Sequence, residues 1–308
     1  MLRFRTAMCI LAGLTDLSPG SLTRLAAAAP AQIDCAKCHA SLTVRKKVVH
    51  AAVQMGCESC HSGIAGVPKV PHQNTTNIAK GLSAEQPQLC YGCHDKGPFS
   101  KKTVHAAVGM GCTSCHDPHA SQFERLLSAK YGELCYQCHD KTMFTKKTVH
   151  AAIGMGCTGC HSPHSHKNEK LLIAAIPDLC FNCHDKGEFS RKNVHAAIDM
   201  GCQTCHTPHS TDNPGLLVKG PYELCLDCHD AVKKSPHAIA GFGKTGHPLG
   251  RLKKSVKTKK KEPVMDPRRE GRIFFCASCH NPHSSDSMKL YRYPAKSSME
   301  LCAHCHKM

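Results

Sequence analysis

Residues 90–120 read CYGCHDKGPFSKKTVHAAVGMGCTSCHDPHA, and the same pattern returns 45 residues later from Cys135 and again from Cys180. Each copy holds two Cys-x-x-Cys-His motifs, one histidine between them and an x-Pro-His tail after the second. Cys90, Cys135, Cys180 and Cys225 keep the 45-residue step, as do Cys112, Cys157 and Cys202. A period of this length signals a linear array in which each unit completes the packing of its neighbours.

Working outward, the motif occurs eleven times and uses twenty-two of the twenty-three cysteines. The pairs are Cys35 and Cys38, Cys57 and Cys60, Cys90 and Cys93, Cys112 and Cys115, Cys135 and Cys138, Cys157 and Cys160, Cys180 and Cys183, Cys202 and Cys205, Cys225 and Cys228, Cys276 and Cys279, and Cys302 and Cys305. Random placement at this composition gives on the order of 0.1 such matches, so the spacing is specific for c-type haem attachment. Two thiols three positions apart lie on one turn of chain and add to the two vinyl groups of a haem edge, while the next residue aims its imidazole at the iron. Zinc sites need four-ligand sets, and a disulfide scaffold leaves the histidine after every second cysteine without a reason. Eleven covalently attached haems c are therefore expected.

Eleven of the twenty-four histidines belong to the motifs as proximal ligands: His39, His61, His94, His116, His139, His161, His184, His206, His229, His280 and His306. His304 is tied between the cysteines of the last motif, and His166 has no equivalent in the sister units. Setting these two aside leaves His50, His72, His105, His119, His150, His164, His195, His209, His237, His247 and His283, as many distal candidates as haems. The expectation is that every iron is bis-histidinyl, a ligation that leaves no position for substrate and lowers the potential relative to Met/His iron. His119 follows His116 too closely to reach round the same haem, so it is expected to serve another. His105 lies between two motifs, and spacing leaves open which of them it serves. Met55, Met110, Met155 and Met200 recur two residues before a motif and are read as packing on haem edges, not as ligands.

The composition agrees with this reading. A chain of 308 residues with no Trp, nine Phe and six Tyr has too little aromatic surface for an ordinary core of its size, and haem supplies the missing apolar interior. The fold class expected is mostly irregular, with short α-helices and negligible β, an elongated array of tandem 45-residue two-haem repeats around a haem chain. Segments 126–140 and 149–155 are the helix candidates, because Gly and Pro interrupt longer runs. The formal charge of +17 invites a nucleic-acid partner. Without residues 1–31 it is +15, and twenty-two propionates and eleven ferric centres bring it to +4, or −7 when reduced. The basic excess thus offsets propionates, and no nucleic-acid partner is expected.

Residues 1–31 read as an export signal: a basic head, an apolar stretch from Thr6 to Leu14 that includes Cys9, and a small-residue run from Ala26 to Ala31. Residues 32–308 form one undecahaem domain, with units near 35–89, 90–134, 135–179, 180–224 and 225–301 and a terminal half unit at 302–308. No segment has the roughly eighteen apolar residues that a membrane span needs. A basic run from Arg251 to Arg272 interrupts the fifth unit. It is read as a solvated loop, with docking of an acidic partner or of propionates as the alternative.

The sequence Cys-x-x-Cys-His, spaced His, Cys-x-x-Cys-His-x-Pro-His, seen at Cys112 to His119, Cys157 to His164, Cys202 to His209 and Cys276 to His283, resembles the doubled-motif multihaem cytochrome c family. Gly246-His247-Pro248 before a basic loop and CASCHNPHSS adds to the likeness. The resemblance covers residues 35–306 and implies an elongated haem ladder that transfers electrons. It also implies other redox proteins as partners, together with an outer-membrane porin or an extracellular cytochrome, and a periplasmic, outer-membrane or extracellular location. A multihaem reductase with one open iron and a subunit of an extracellular cytochrome filament are the competing readings.

Overall fold

The computed structural model describes residues 34–233, 252–254 and 261–307. The expected export signal lies outside these residues, as do His237, His247 and most of the basic run before Lys261. No helix among the described residues is long and apolar enough to cross a membrane.

Regular structure is short, and its placement follows the motifs. All eleven close one helical turn: the backbone N–H of each motif histidine donates to the carbonyl of the first cysteine, as in His94 to Cys90 at 2.9 Å and His206 to Cys202 at 3.0 Å. This turn puts both cysteines on one side of the chain. First motifs of a unit ride on α-helices such as Gln88–Tyr91, Glu133–Tyr136 and Asp178–Phe181. Second motifs of the first four units begin on 3₁₀ turns, as at Cys112–Ser114 and Cys202–Thr204, and that of the fifth on the α-helix Cys276–Cys279. Within 126–140 the α-helix is confined to Glu133–Tyr136, and 149–155 holds a 3₁₀ helix, Ala151–Met155. Residues Arg125 and Leu126 turn left-handed, with φ of 56° and 57°, and so prevent an earlier start.

A glycine separates each such 3₁₀ helix from the second motif. Gly56, Gly111, Gly156 and Gly201 have φ between 84° and 94° and ψ between 145° and 162°, a region that only glycine occupies without strain. A Cβ on Gly201 would meet nothing within 4 Å, so Gly201→Ala isolates the backbone effect. It is expected to cost about 1–3 kcal/mol, read as a lowered midpoint in thermal unfolding of the full chain.

Strand content departs from expectation in a systematic way. Two-residue strands join each unit to the next: Val48–Val49 pairs with Ala120–Ser121, Thr103–Val104 with Ser165–His166, Thr148–Val149 with Ser210–Thr211, and Asn193–Val194 with Ser284–Ser285, all antiparallel. Runs this short carry no alternation for sequence to reveal. Buried serines reinforce three of these junctions. Ser165 donates to Pro98 O at 2.7 Å and accepts from Lys101 N at 3.1 Å; Ser210 and Ser284 make the same pair of bonds to Met143 and Lys146 and to Glu188 and Arg191.

An ordinary core is almost missing. Among the described residues the buried hydrophobic side chains are Ala120, Leu226, Phe274, Ala277, Tyr291 and Ala295, four of them in one short C-terminal stretch. There Asp266, buried, pairs with Arg269 at 2.7 Å. Burial pushes the Asp266 carboxyl up, but hydrogen bonds from Ser278, the Arg268 amide and Arg269 outweigh it and hold the pKa below the usual range. Arg269 is thereby committed inside the chain. The first unit carries an added hairpin, Ile64–Ala65 against Gln73–Asn74, which presents His72.

Candidate haem-binding sites

The cysteines of successive motifs adjoin without a break. Within units, the first cysteines approach each other: Cys35 lies within hydrogen-bond reach of Cys57, Cys90 of Cys112, Cys135 of Cys157, Cys180 of Cys202 and Cys225 of Cys276. Between units, Cys60 neighbours Cys90, Cys115 neighbours Cys135, Cys160 neighbours Cys180, Cys205 neighbours Cys225 and Cys279 neighbours Cys302. The spatial order of the eleven motifs is thus their order in sequence. Burial, then the adjacent Cys112, pushes the Cys90 thiol up to about 11. Where the Cys225 and Cys276 motifs meet, the hydrogen bond to Cys276 pushes Cys225 up, while Cys276 is held down. The described cysteines form no disulfide. Among the described residues no group of three or more His, Cys, Asp or Glu could hold a metal ion by itself.

A continuous cavity of about 4020 Å³ passes nine motifs, from Cys90 to His306. That is roughly 450 Å³ for each motif, within the range of pockets that hold one small cofactor.

Nine motif histidines face a second histidine across a nearly constant gap. His39 stands opposite His72, His61 opposite His119, His94 opposite His50, His116 opposite His164 and His139 opposite His105, with ring centroids 6.0–6.1 Å apart. His161 faces His209, His184 faces His150, His206 faces His283 and His229 faces His195, at the same separations. Stacked rings in contact lie much closer. An iron between two imidazoles, with bonds of about 2 Å on each side and about 1.1 Å from nitrogen to ring centre, sets the centroids about 6 Å apart. The side chains fit the group the motif implies.

The other ring nitrogen is held by the backbone. In the second motif of every unit, proximal Nδ1 bonds the carbonyl of a residue in left-handed conformation: His61 to Lys80, His116 to Arg125, His161 to Lys170, His206 to Gly215 and His280 to Lys289, at 2.8–2.9 Å. Distal His50, His150 and His195 bond the carbonyls of Pro118, Pro208 and Pro282 through Nδ1 at 2.8–3.0 Å. A carbonyl partner on Nδ1 fixes the tautomer and leaves Nε2 for a metal.

The two kinds of distal histidine are bonded to each other. His50 N donates to His119 O, His105 N to His164 O, His150 N to His209 O and His195 N to His283 O, each at 2.8 Å. This junction explains the position of His105, whose spacing suggested one of the two motifs beside it. The bond to His164 carries its ring to His139, the proximal residue of the next unit. His119 stands beside His61, one unit back.

Elsewhere the placement is plain. His304 bonds Pro294 O through Nε2 at 3.0 Å and lies 5.0 Å from the Tyr293 ring, and His166 Nδ1 accepts from Asn168 N at 3.3 Å. Met55, Met110, Met155 and Met200 are largely exposed. Sequence reasoning passed over Phe99, Phe144 and Phe189, which pack 4.5–4.7 Å from His164, His209 and His283. Their recurrence nine residues after a motif's first cysteine was the available signal.

A tandem array of one-turn Cys-x-x-Cys-His motifs, with little core of its own, defines a multihaem c-type cytochrome, a protein that binds haem c covalently and transfers electrons. The profile of the Doubled CXXCH motif matches residues 50–99, 105–144, 150–189, 195–234 and 266–308, more than half of the chain, and the chain belongs to that family. No curated protein matches it. Each of the first four matches begins at a spaced histidine and encloses one whole facing pair, such as His105 with His139.

Proposed function

We propose that the chain holds eleven bis-histidinyl haems c and serves as an electron conduit from one end of the array to the other. The observation that carries this reading is the row of nine His–His gaps of one width, strung along an unbroken line of cysteines. Haem bound there supplies an iron that exchanges single electrons between its ferric and ferrous states. The chain's own part is to order the sites, close both axial positions and fix each imidazole through its Nδ1 partner. His280 and His306 are the remaining proximal residues, and His237 and His247, outside the described residues, match them in number. Residues 1–31 support an exported protein, in the periplasm or at the outer membrane; there it exchanges electrons with other redox proteins, an extracellular cytochrome among them, and an outer-membrane porin is a candidate housing.

The reductase reading needs an iron with an exchangeable position. The filament reading needs a histidine passed between copies, whereas His39, the first motif histidine, already faces His72 of its own unit. Electron paramagnetic resonance of the oxidised protein separates conduction from catalysis. A wholly low-spin ferric spectrum is expected, and a high-spin signal equal to one iron per chain would overturn the conduit.

A further inference from the structure

Resting on the bis-histidinyl reading, the geometry points to a second level of order: we propose that Phe99, Phe144 and Phe189 are positioning residues that rotate distal His164, His209 and His283, so that irons of two ligand-field classes alternate along the chain. Among the eight facing pairs that bridge two units, the angles between imidazole planes fall into two groups; His39–His72, set by the hairpin inside the first unit, is tilted by 55° and stands apart from both. Pairs made by the spaced histidines are near parallel, at 17° for His50–His94, 10° for His105–His139, 12° for His150–His184 and 21° for His195–His229. Three of the four pairs made by the histidine of an x-Pro-His tail are tilted, at 36° for His116–His164, 37° for His161–His209 and 43° for His206–His283.

In each tilted pair that bridges two units the distal ring carries a phenylalanine against it, at 4.5, 4.7 and 4.6 Å and inclined by 47°, 53° and 41°. Aromatic rings in contact prefer such inclined arrangements, and the phenylalanine is itself braced. Tyr91 packs on Phe99, Tyr136 on Phe144 and Phe181 on Phe189, at 5.6–5.8 Å. The bracing residue sits between the two cysteines of the neighbouring motif, so the ring orientation is anchored to the site next door.

The molecule contains its own control. His119 is also an x-Pro-His histidine, with the same backbone bond to a spaced histidine. At the place of the phenylalanine, nine residues after a motif's first cysteine, the first unit has Val44, 55% exposed, and at the bracing place it has Ala36. The His61–His119 angle is 12°, with the near-parallel group. A second difference is Asp117, whose carboxylate lies 3.7 Å from His119 Nδ1; Ser162, Thr207 and Asn281 hold that place in the other units. The experiment therefore separates the two.

Orientation matters to iron because parallel imidazoles donate π density into one d orbital. That orbital rises, the ferric state is favoured and the largest g value stays low. Tilting shares the donation between two orbitals, raising both the largest g value and the potential. From the Cys90 motif to the Cys225 motif the two orientations alternate site by site, so irons held there would alternate between lower and higher potential.

The test is low-temperature electron paramagnetic resonance, combined with redox titration, on the full haem-loaded chain and three variants. Phe144→Val, which installs the residue found in the first unit, is expected to move one iron from the tilted to the near-parallel class and lower its potential. Val44→Phe is the reciprocal gain, expected to move the His61–His119 iron the other way even if Phe144→Val were to unfold. Asp117→Asn is expected to leave class membership unchanged. The proposal fails if Phe144→Val and Val44→Phe both stay low-spin with class populations unaltered, or if Asp117→Asn alone transfers the His61–His119 iron. Loss of haem or a high-spin signal in the unsubstituted protein would instead overturn the bis-histidinyl reading beneath it.

Discussion

His209→Ala is expected to convert one iron of the array to a high-spin, five-coordinate ferric centre while every other iron stays low-spin. His209 faces His161 across 6.1 Å, and no other described histidine pairs with His161 at that separation. Cys157 and Cys160 are untouched, so haem content should not fall. The adjoining pair should survive too, because the bond from His150 N to residue 209 uses a backbone carbonyl that alanine retains. The substitution thus creates the open position that a reductase would need, and the signal should approach one high-spin iron per chain. Binding of added imidazole or carbon monoxide at that single site checks the assignment. A spectrum that remains entirely low-spin would show that His209 does not cap this metal.

The second large effect concerns length. Deleting residues 105–149, one full period, is expected to give a folded, wholly low-spin protein with two fewer haems. His150 then follows Val104 and takes the place of His105, and Ser165–His166 comes into register to pair with Val48–Val49 in place of Ala120–Ser121. Every remaining proximal residue regains a distal partner of the kind it lost. Deleting 105–126, which removes the Cys112 motif alone, breaks that logic and leaves His139 without His105. Haem content and the fraction of high-spin iron distinguish the two deletions, and a full-period deletion that fails to load haem would contradict the modular account. Arrays with nearest-neighbour interfaces tolerate loss of an internal repeat in this way.

The same logic accounts for the departures in the first unit. From the second unit on, the x-Pro-His histidine after a second motif faces a motif histidine of the unit before its own, as His119 faces His61. The first unit lacks the Pro-His tail after its second motif. Its first motif lacks a preceding spaced histidine, and the hairpin carrying His72 supplies one from within.

Much of this was legible before any coordinates. Motif identity and period are carried by residue type and spacing, because thioether chemistry needs two cysteines on one turn. Partner choice was not legible for His105, since it is decided by a backbone bond to His164 across 59 positions. Nor did residue type announce the left-handed turns. Arg125, Lys170 and Lys289 adopt φ of 50–56°, a conformation ordinarily signalled by Gly or Asn. At the equivalent place Gly215 alone gives that signal. The ladders between units are two residues long, below the length at which alternation means anything, and only tertiary pairing fixes them.

The central claim is that covalently attached haem fills the interior of this chain at every motif. Mass spectrometry of the purified mature polypeptide tests it most directly. The account predicts the mass of the chain from about residue 32 plus eleven haems, with no motif cysteine left as a free thiol. A mass matching the bare polypeptide, or free thiols at any of the eleven motifs, would contradict it.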